Sequence, residues 1–250
     1  MFSNSGSGQF SPLLLARITG IIALAGIATG AFDIGYVHDT LIVAGNASAT
    51  VHNIQVHETL FRMGFSAHLF EMLLNIAGEI TFFFLIRRVN RVVAAIALCC
   101  GLVGTAVESL DLLNSYVPLK FALEGNALGA LTSAQQQALS YFFVQLHEAG
   151  LLISFVFYGL DELVSGLLIF QSGFLPGVIG ILLGIAGFCY LTHGFLSFLA
   201  PSFDSRLYPY ILYACLPGEG SIALWMATVG LNVGKWKAWT SPPQPELVLA

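Results

Sequence analysis

The chain has 250 residues, of which 56% are hydrophobic and 9% charged, with a mean hydropathy of +0.81. A soluble domain carries about a quarter charged residues, so this composition belongs to a chain folding in lipid. A net charge of −5 and nine basic residues without a basic stretch exclude nucleic acid as a partner.

Six apolar runs, each of roughly 20 or more residues, are long enough to cross about 30 Å of hydrocarbon. They cover residues 13–37, 64–86, 92–114, 141–170, 177–200 and 211–234. The expected fold is all-α, a polytopic bundle of six transmembrane helices. Residues 1–12 form a cytoplasmic tail, 13–234 the membrane domain, and 235–250, ending "SPPQPELVLA", a disordered cytoplasmic tail. Arg17 already lies inside the first run, which lacks a signal-peptide cleavage pattern and reads as a retained span.

The second run holds "HLFEMLLNIAGEI", in which His68, Glu71, Asn75 and Glu79 fall within an arc of about 80°. Behind it "RRVNR" makes a short join to the third run, where Gly101, Gly104, Thr105, Glu108, Asp111 and Ser115 share one side. Longer connections are expected at 38–63 and 115–140. The first contains the acceptor-like "NAS" at 46–48, and the second ends in a capping-box pattern at Thr132 or Ser133 followed by glutamine.

In the fourth run His147, Ser154, Tyr158, Asp161 and Ser165 form a stripe flanked by Glu148 and Glu162. "QSGFLPG" then turns the chain into the fifth, whose Gly177, Gly180, Gly184 and Gly187 make a packing face with His193 nearly opposite. Cys99, Cys100, Cys189 and Cys215 lie in apolar runs without metal spacing and read as buried small residues. Arg17, Arg87, Arg88, Arg91, Lys235 and Lys237 fall on one side of the membrane, and Arg62, Lys120 and Arg206 on the other. This bias places both termini in the cytoplasm.

"ARITG", "LFRMGFSAHL", "IRRVNR" and "QSGFLPGVIG" resemble a bacterial family of multi-pass membrane proteins known only as a domain of unknown function. The resemblance covers nearly the whole chain and implies a bacterial inner-membrane protein with six spans. It supplies no activity and no site residues. Where family members commonly carry a basic residue after "SGFLP", this chain has Gly177.

By helical rise, Asp33, His68, Glu71, Glu108, Asp111, His147, Glu148, His193 and Glu219 all come within roughly 5 to 12 Å of the outer surface. Charged groups facing lipid near the bilayer centre cost at least about 2.5 kcal/mol each, so these should face one another or a water-filled pocket. Crowded carboxylates need a compensating cation. Arg62 and Arg206 at the rim are candidates for that role, as are protons, a cationic substrate, or a divalent transition metal such as zinc.

Three readings follow. In an intramembrane enzyme, His68, His147, His193 and Glu71 hold a metal, and Glu71, Glu148 and Glu108 are candidate catalytic groups for a lipophilic substrate drawn from the membrane lipids. In a proton-coupled transporter, a seam from Glu71 through Glu79 to Asp161 relays protons. In a structural subunit the layer merely joins helices, which is the expected role of Asn75, Ser154 and Thr105. Asp111 belongs to the same seam, and Glu162 is expected to pair with Arg87, Arg88 or Arg91. The enzyme or ligand-binding reading leads.

Overall fold

The computed structural model describes residues 11–124 and 131–239, and these are helical throughout with short joins and no strand. Helix α1 spans Pro12–Leu41, and Pro12 occupies the first turn, where its missing N–H is no loss. Between Ala31 and His38 its turns widen into a π-helix. Helix α2, Ala47–Val56, is capped by Asn46, whose side chain accepts from the Ala49 N–H. The residue that suggested a glycan acceptor is thus a helix cap.

Helix α3 spans Glu58–Ile86 and α4 spans Arg91–Glu124, the latter capped by Asn90 through the N–H groups of Val92 and Val93. Helix α5 spans Ser133–Ser172. The expected capping box is present between Thr132 and Gln135, and Gly173 ends the helix in a left-handed conformation at φ 65°. Helices α6, Gly177–Leu199, and α7, Pro201–Thr228, are separated by Ala200 alone. Gly230, at φ 81°, turns the chain into α8, Val233–Ala238.

Several helices outrun the apolar stretches that predicted them. Residues 115–124 continue α4 through Pro118, because Leu119 and Ala122 pack with Val51 and Ile54 of α2 and Val37 and Leu41 of α1. Residues 201–210 are the first turns of α7, and that helix stops at Thr228, short of the expected 234. Lys235 to Ala238 are helical, anchored by Trp236, whose indole N–H donates to the Leu85 carbonyl at 3.1 Å.

The six long helices close a ring. Helix α1 packs on α3, α3 on α4, α4 on α5, α5 on α6, α6 on α7, and α7 returns to α1. The interior of this ring is polar and its exterior is oil. His68, Glu108, Asp111, His147, Asp161 and His193 are buried, while Leu69, Leu73, Leu110, Leu113, Phe170 and Phe188 stand exposed. Such a distribution would aggregate in water and suits hydrocarbon.

Five helices are long and apolar enough to cross a membrane: Pro12–Leu41, Glu58–Ile86, Arg91–Leu123, Ser133–Ser172 and Gly177–Leu199. Helix α7, at 28 residues, has the length, but Asp204, Arg206, Pro217 and Glu219 interrupt its apolarity and leave it outside that set. An apolar cluster of Ala16, Leu85, Ile169, Phe174, Leu183 and Met226 closes the ring at the end bearing Arg87 and Arg88, and the α2 cluster covers the other.

Candidate functional site

Between these two apolar ends lies a cavity of about 500 Å³. Its α1 wall runs from Thr19 to Gly35, about 24 Å at a helical rise of 1.5 Å. Among the described residues six carboxylates line it, Glu71, Glu79, Glu108, Asp161, Glu162 and Glu219, and no lysine or arginine does. Tyr158, Tyr190, Tyr208 and His193 add polar edges, and Ile22, Phe82, Leu183 and Met226 supply apolar wall.

Toward the α2 end a chain of hydrogen bonds enters this cavity from the wall. His68 is fully buried, with Nδ1 2.8 Å from Asp33 Oδ2 and Nε2 3.1 Å from Glu108 Oε1. The Tyr158 hydroxyl donates to the other Glu108 oxygen at 2.7 Å. With an acceptor at each ring nitrogen, His68 donates to both only as imidazolium. As a neutral ring it donates to one carboxylate and accepts a hydrogen bond from the other carboxyl group, which must then be protonated. The π-helical stretch carries Asp33, and the widened turn directs it onto α3, where Gly64 leaves room: a Cβ there would lie 2.4 Å from Asp33 Oδ1.

Glycine opposite carboxylate recurs around the ring. A Cβ at Gly30 would meet Glu71 at 2.7 Å, one at Gly101 would meet Glu79 at 2.4 Å, and one at Gly150 would meet Asp111 at 2.1 Å. Each acidic side chain thus lies against the bare backbone of the adjacent helix, which a larger residue would deny it. Asp111 then accepts from Asn114 at 2.6 Å and contacts His147 Nδ1 at 2.6 Å. The His68 and His147 rings stand 5.9 Å apart.

Deeper in the cavity the carboxyls pair with one another. Glu79 of α3 and Asp161 of α5 lie side by side in the lining, and Asp161 accepts from Ser165 at 3.1 Å. Glu162 lies beside Glu219 of α7, and the Tyr190 hydroxyl donates to Glu219. Two carboxylates side by side in a low dielectric repel, so within each pair one negative charge disfavours the other. Glu71 Oε2 and Glu162 Oε2 are buried without a hydrogen-bond partner.

The residues singled out in the sequence separate into three groups. Glu71, Asn75, Glu79, Glu108, Asp161 and His193 line the cavity. His68, Asp111 and His147 lie in the wall rather than facing the cavity. Glu148 is half exposed, 3.8 Å from His38 at the α2 end, and does not join Glu71 and Glu108.

Glu162 and Glu219 also depart from expectation. Glu162 turns inward instead of reaching Arg87, Arg88 or Arg91, because Glu219 faces it across the cavity. Glu219 therefore belongs to the deep pair and not to a shallow layer with His68. Arg62 bonds Glu58 one turn away, at 2.7 Å, and Arg206 is exposed, so neither fills the interior. Cys99 is exposed on the apolar exterior, and only Cys215 of the four cysteines is buried.

Among the described residues no three histidine, cysteine or carboxylate side chains are placed to hold a metal ion. The expected set of His68, His147, His193 and Glu71 is dispersed: carboxylates take up both nitrogens of His68, and Asp111 and Asp204 one each of His147 and His193. Sequence reasoning missed Asp204, 2.8 Å from His193 Nδ1, because it lies between the apolar runs 177–200 and 211–234. It also missed Tyr190, although Tyr190 precedes His193 by one helical turn and shares its face.

A closed ring of membrane-type helices around a buried acidic cavity defines a polytopic helical membrane protein. The chain belongs to the family described as Domain of unknown function (DUF4386), which it matches over residues 18–230. No curated protein and no solved structure matches it.

Proposed function

We propose that the protein binds a lipophilic organic cation in the central cavity and exchanges it for protons, as a carrier or receptor in a bacterial plasma membrane. The single observation that carries this reading is a 500 Å³ cavity with six carboxylates and, among the described residues, no lysine or arginine in its lining. Such a lining attracts positive charge and rejects anions, and its apolar wall accepts a hydrocarbon body.

In the empty cavity, protons held by the Glu79–Asp161 and Glu162–Glu219 pairs reduce the negative charge. A monovalent cation entering beside a pair displaces its proton, leaving the cavity's net charge unchanged. The Asp33–His68–Glu108–Tyr158 chain supplies a route by which that proton leaves, since an imidazole accepts at one nitrogen while releasing from the other. This reading takes six crossings, with both termini on the cytoplasmic side and α7 as the sixth.

The same hydrogen-bond chain favours a second reading, an enzyme in which Glu108 and Tyr158 act as proton donor and acceptor toward a lipophilic substrate. Titrating purified protein with tetraphenylphosphonium in weak buffer tests the first reading. Binding should release close to one proton per cation, and Glu79→Gln and Glu162→Gln should each reduce that release. Absence of binding, or binding that releases no protons and ignores both variants, overturns it.

A further inference from the structure

The cavity uses none of the arginines, yet three of them form a site of their own at the opposite end of α3 from Asp33 and His68. Arg87, Arg88 and Arg91, at the turn between α3 and α4, line a recess of about 330 Å³. Among the described residues none of the three pairs with a carboxylate. The acidic group expected to reach them, Glu162, lines the cavity instead.

Two of the guanidinium groups are held in place by aromatic rings. That of Arg87 stands 4.4 Å from the centroid of Phe84, and that of Arg88 stands 4.2 Å from Trp236. Stacking fixes a guanidinium plane and leaves its N–H edges for another partner. Arg88 Nε is buried and has none. Three clustered positive charges with an orphaned buried donor are complementary to an anion with several oxygens.

The depth of the recess selects which anion. Trp236 and Trp239 donate their indole N–H groups to the carbonyls of Leu85 and Ser172, at the ends of α3 and α5, where the apolar exterior gives out. Tryptophans at helix ends mark the headgroup level of a bilayer, and Lys235 adds a further cation on the same short helix. We propose that Arg87, Arg88 and Arg91 bind the phosphate of an anionic membrane lipid, with Trp236 as the platform that orients Arg88. The site is independent of the cation reading, since no residue of one lines the other.

Native mass spectrometry and thermal unfolding of the purified full chain in detergent test this with phosphatidylglycerol, phosphatidylcholine and inorganic phosphate as probes. Phosphatidylglycerol should be retained in preference to phosphatidylcholine and should raise Tm, and Arg88→Gln should weaken its binding roughly fivefold. Arg91→Gln, at an exposed position, should weaken it comparably while leaving the lipid-free Tm unchanged, which separates lost binding from lost folding. Equal retention of the two lipids, or wild-type retention by both variants, overturns the proposal. A Tm increase with inorganic phosphate alone, matching that with the lipid, also overturns it in favour of a soluble anion.

Discussion

His68 shows how one residue can hold three helices together. Its ring lies between Asp33 of α1 and Glu108 of α4, so the α3 side chain is hydrogen-bonded to both neighbouring helices at once. Replacing it by leucine deprives Asp33 of its partner and leaves the buried Glu108 with Tyr158 alone. Breaking a buried pair from one side costs about 3 to 5 kcal/mol, and His68→Leu should lower the detergent unfolding temperature far more than Leu73→Ala on the exposed face of the same helix. A thermal melt in which both variants behave alike would remove the structural role assigned to His68. At this scale the sequence revealed that His68, Glu71 and Glu79 face inward, because helical periodicity alone decides a facing. It could not reveal their partners. Asp33 reaches His68 through a π-turn, and Asp204 reaches His193 from the stretch between two apolar runs; neither contact follows from spacing.

Among the elements, α5 and α6 show most clearly what glycine does here. A Cβ at Gly166 would stand 2.5 Å from the Gly180 carbonyl, and one at Gly187 would stand 2.5 Å from the Gly159 carbonyl. The two backbones touch along a seam, as the glycine face of the fifth run led one to expect. Gly184 is different, because a Cβ on it meets nothing within 4 Å. Gly166→Ala should therefore destabilise the protein, whereas Gly184→Ala should be neutral or raise Tm slightly through helix propensity. Thermal melts of the two variants compare them directly, and a drop for Gly184→Ala as large as that for Gly166→Ala would show that the contact is not what holds the pair. Element type was legible throughout, since the apolar runs are long. Element ends were not: α4 and α7 continue into polar sequence because packing under α2 and the immediate start after Ala200 reward helix where hydropathy does not.

For the whole molecule the testable matter is orientation. With six crossings, a reporter fused after Ala250 should read cytoplasmic and one inserted near Asn46 should read external. If α7 lies along the membrane rather than across it, the C-terminal reporter reads external, and five crossings stand. The membrane character of the chain was legible from composition alone. The closed ring was not, because periodicity gives each helix its polar side but not the order in which those sides meet.

That order has a consequence for how the protein is made. Long helices leave the ribosome in the same sequence in which they dock, so α3 can settle on α1, α4 on α3 and so on, each against a neighbour already in the membrane. One seam has to wait. Gly20 of α1, whose Cβ would stand 2.2 Å from the Ala227 nitrogen, meets α7 only when some two hundred further residues have been synthesised. Until then the ring is an open crescent whose acidic concave side faces hydrocarbon, and a nascent chain halted before α7 displays five carboxylates there. An incomplete chain thus turns toward lipid the same residues that line the finished cavity.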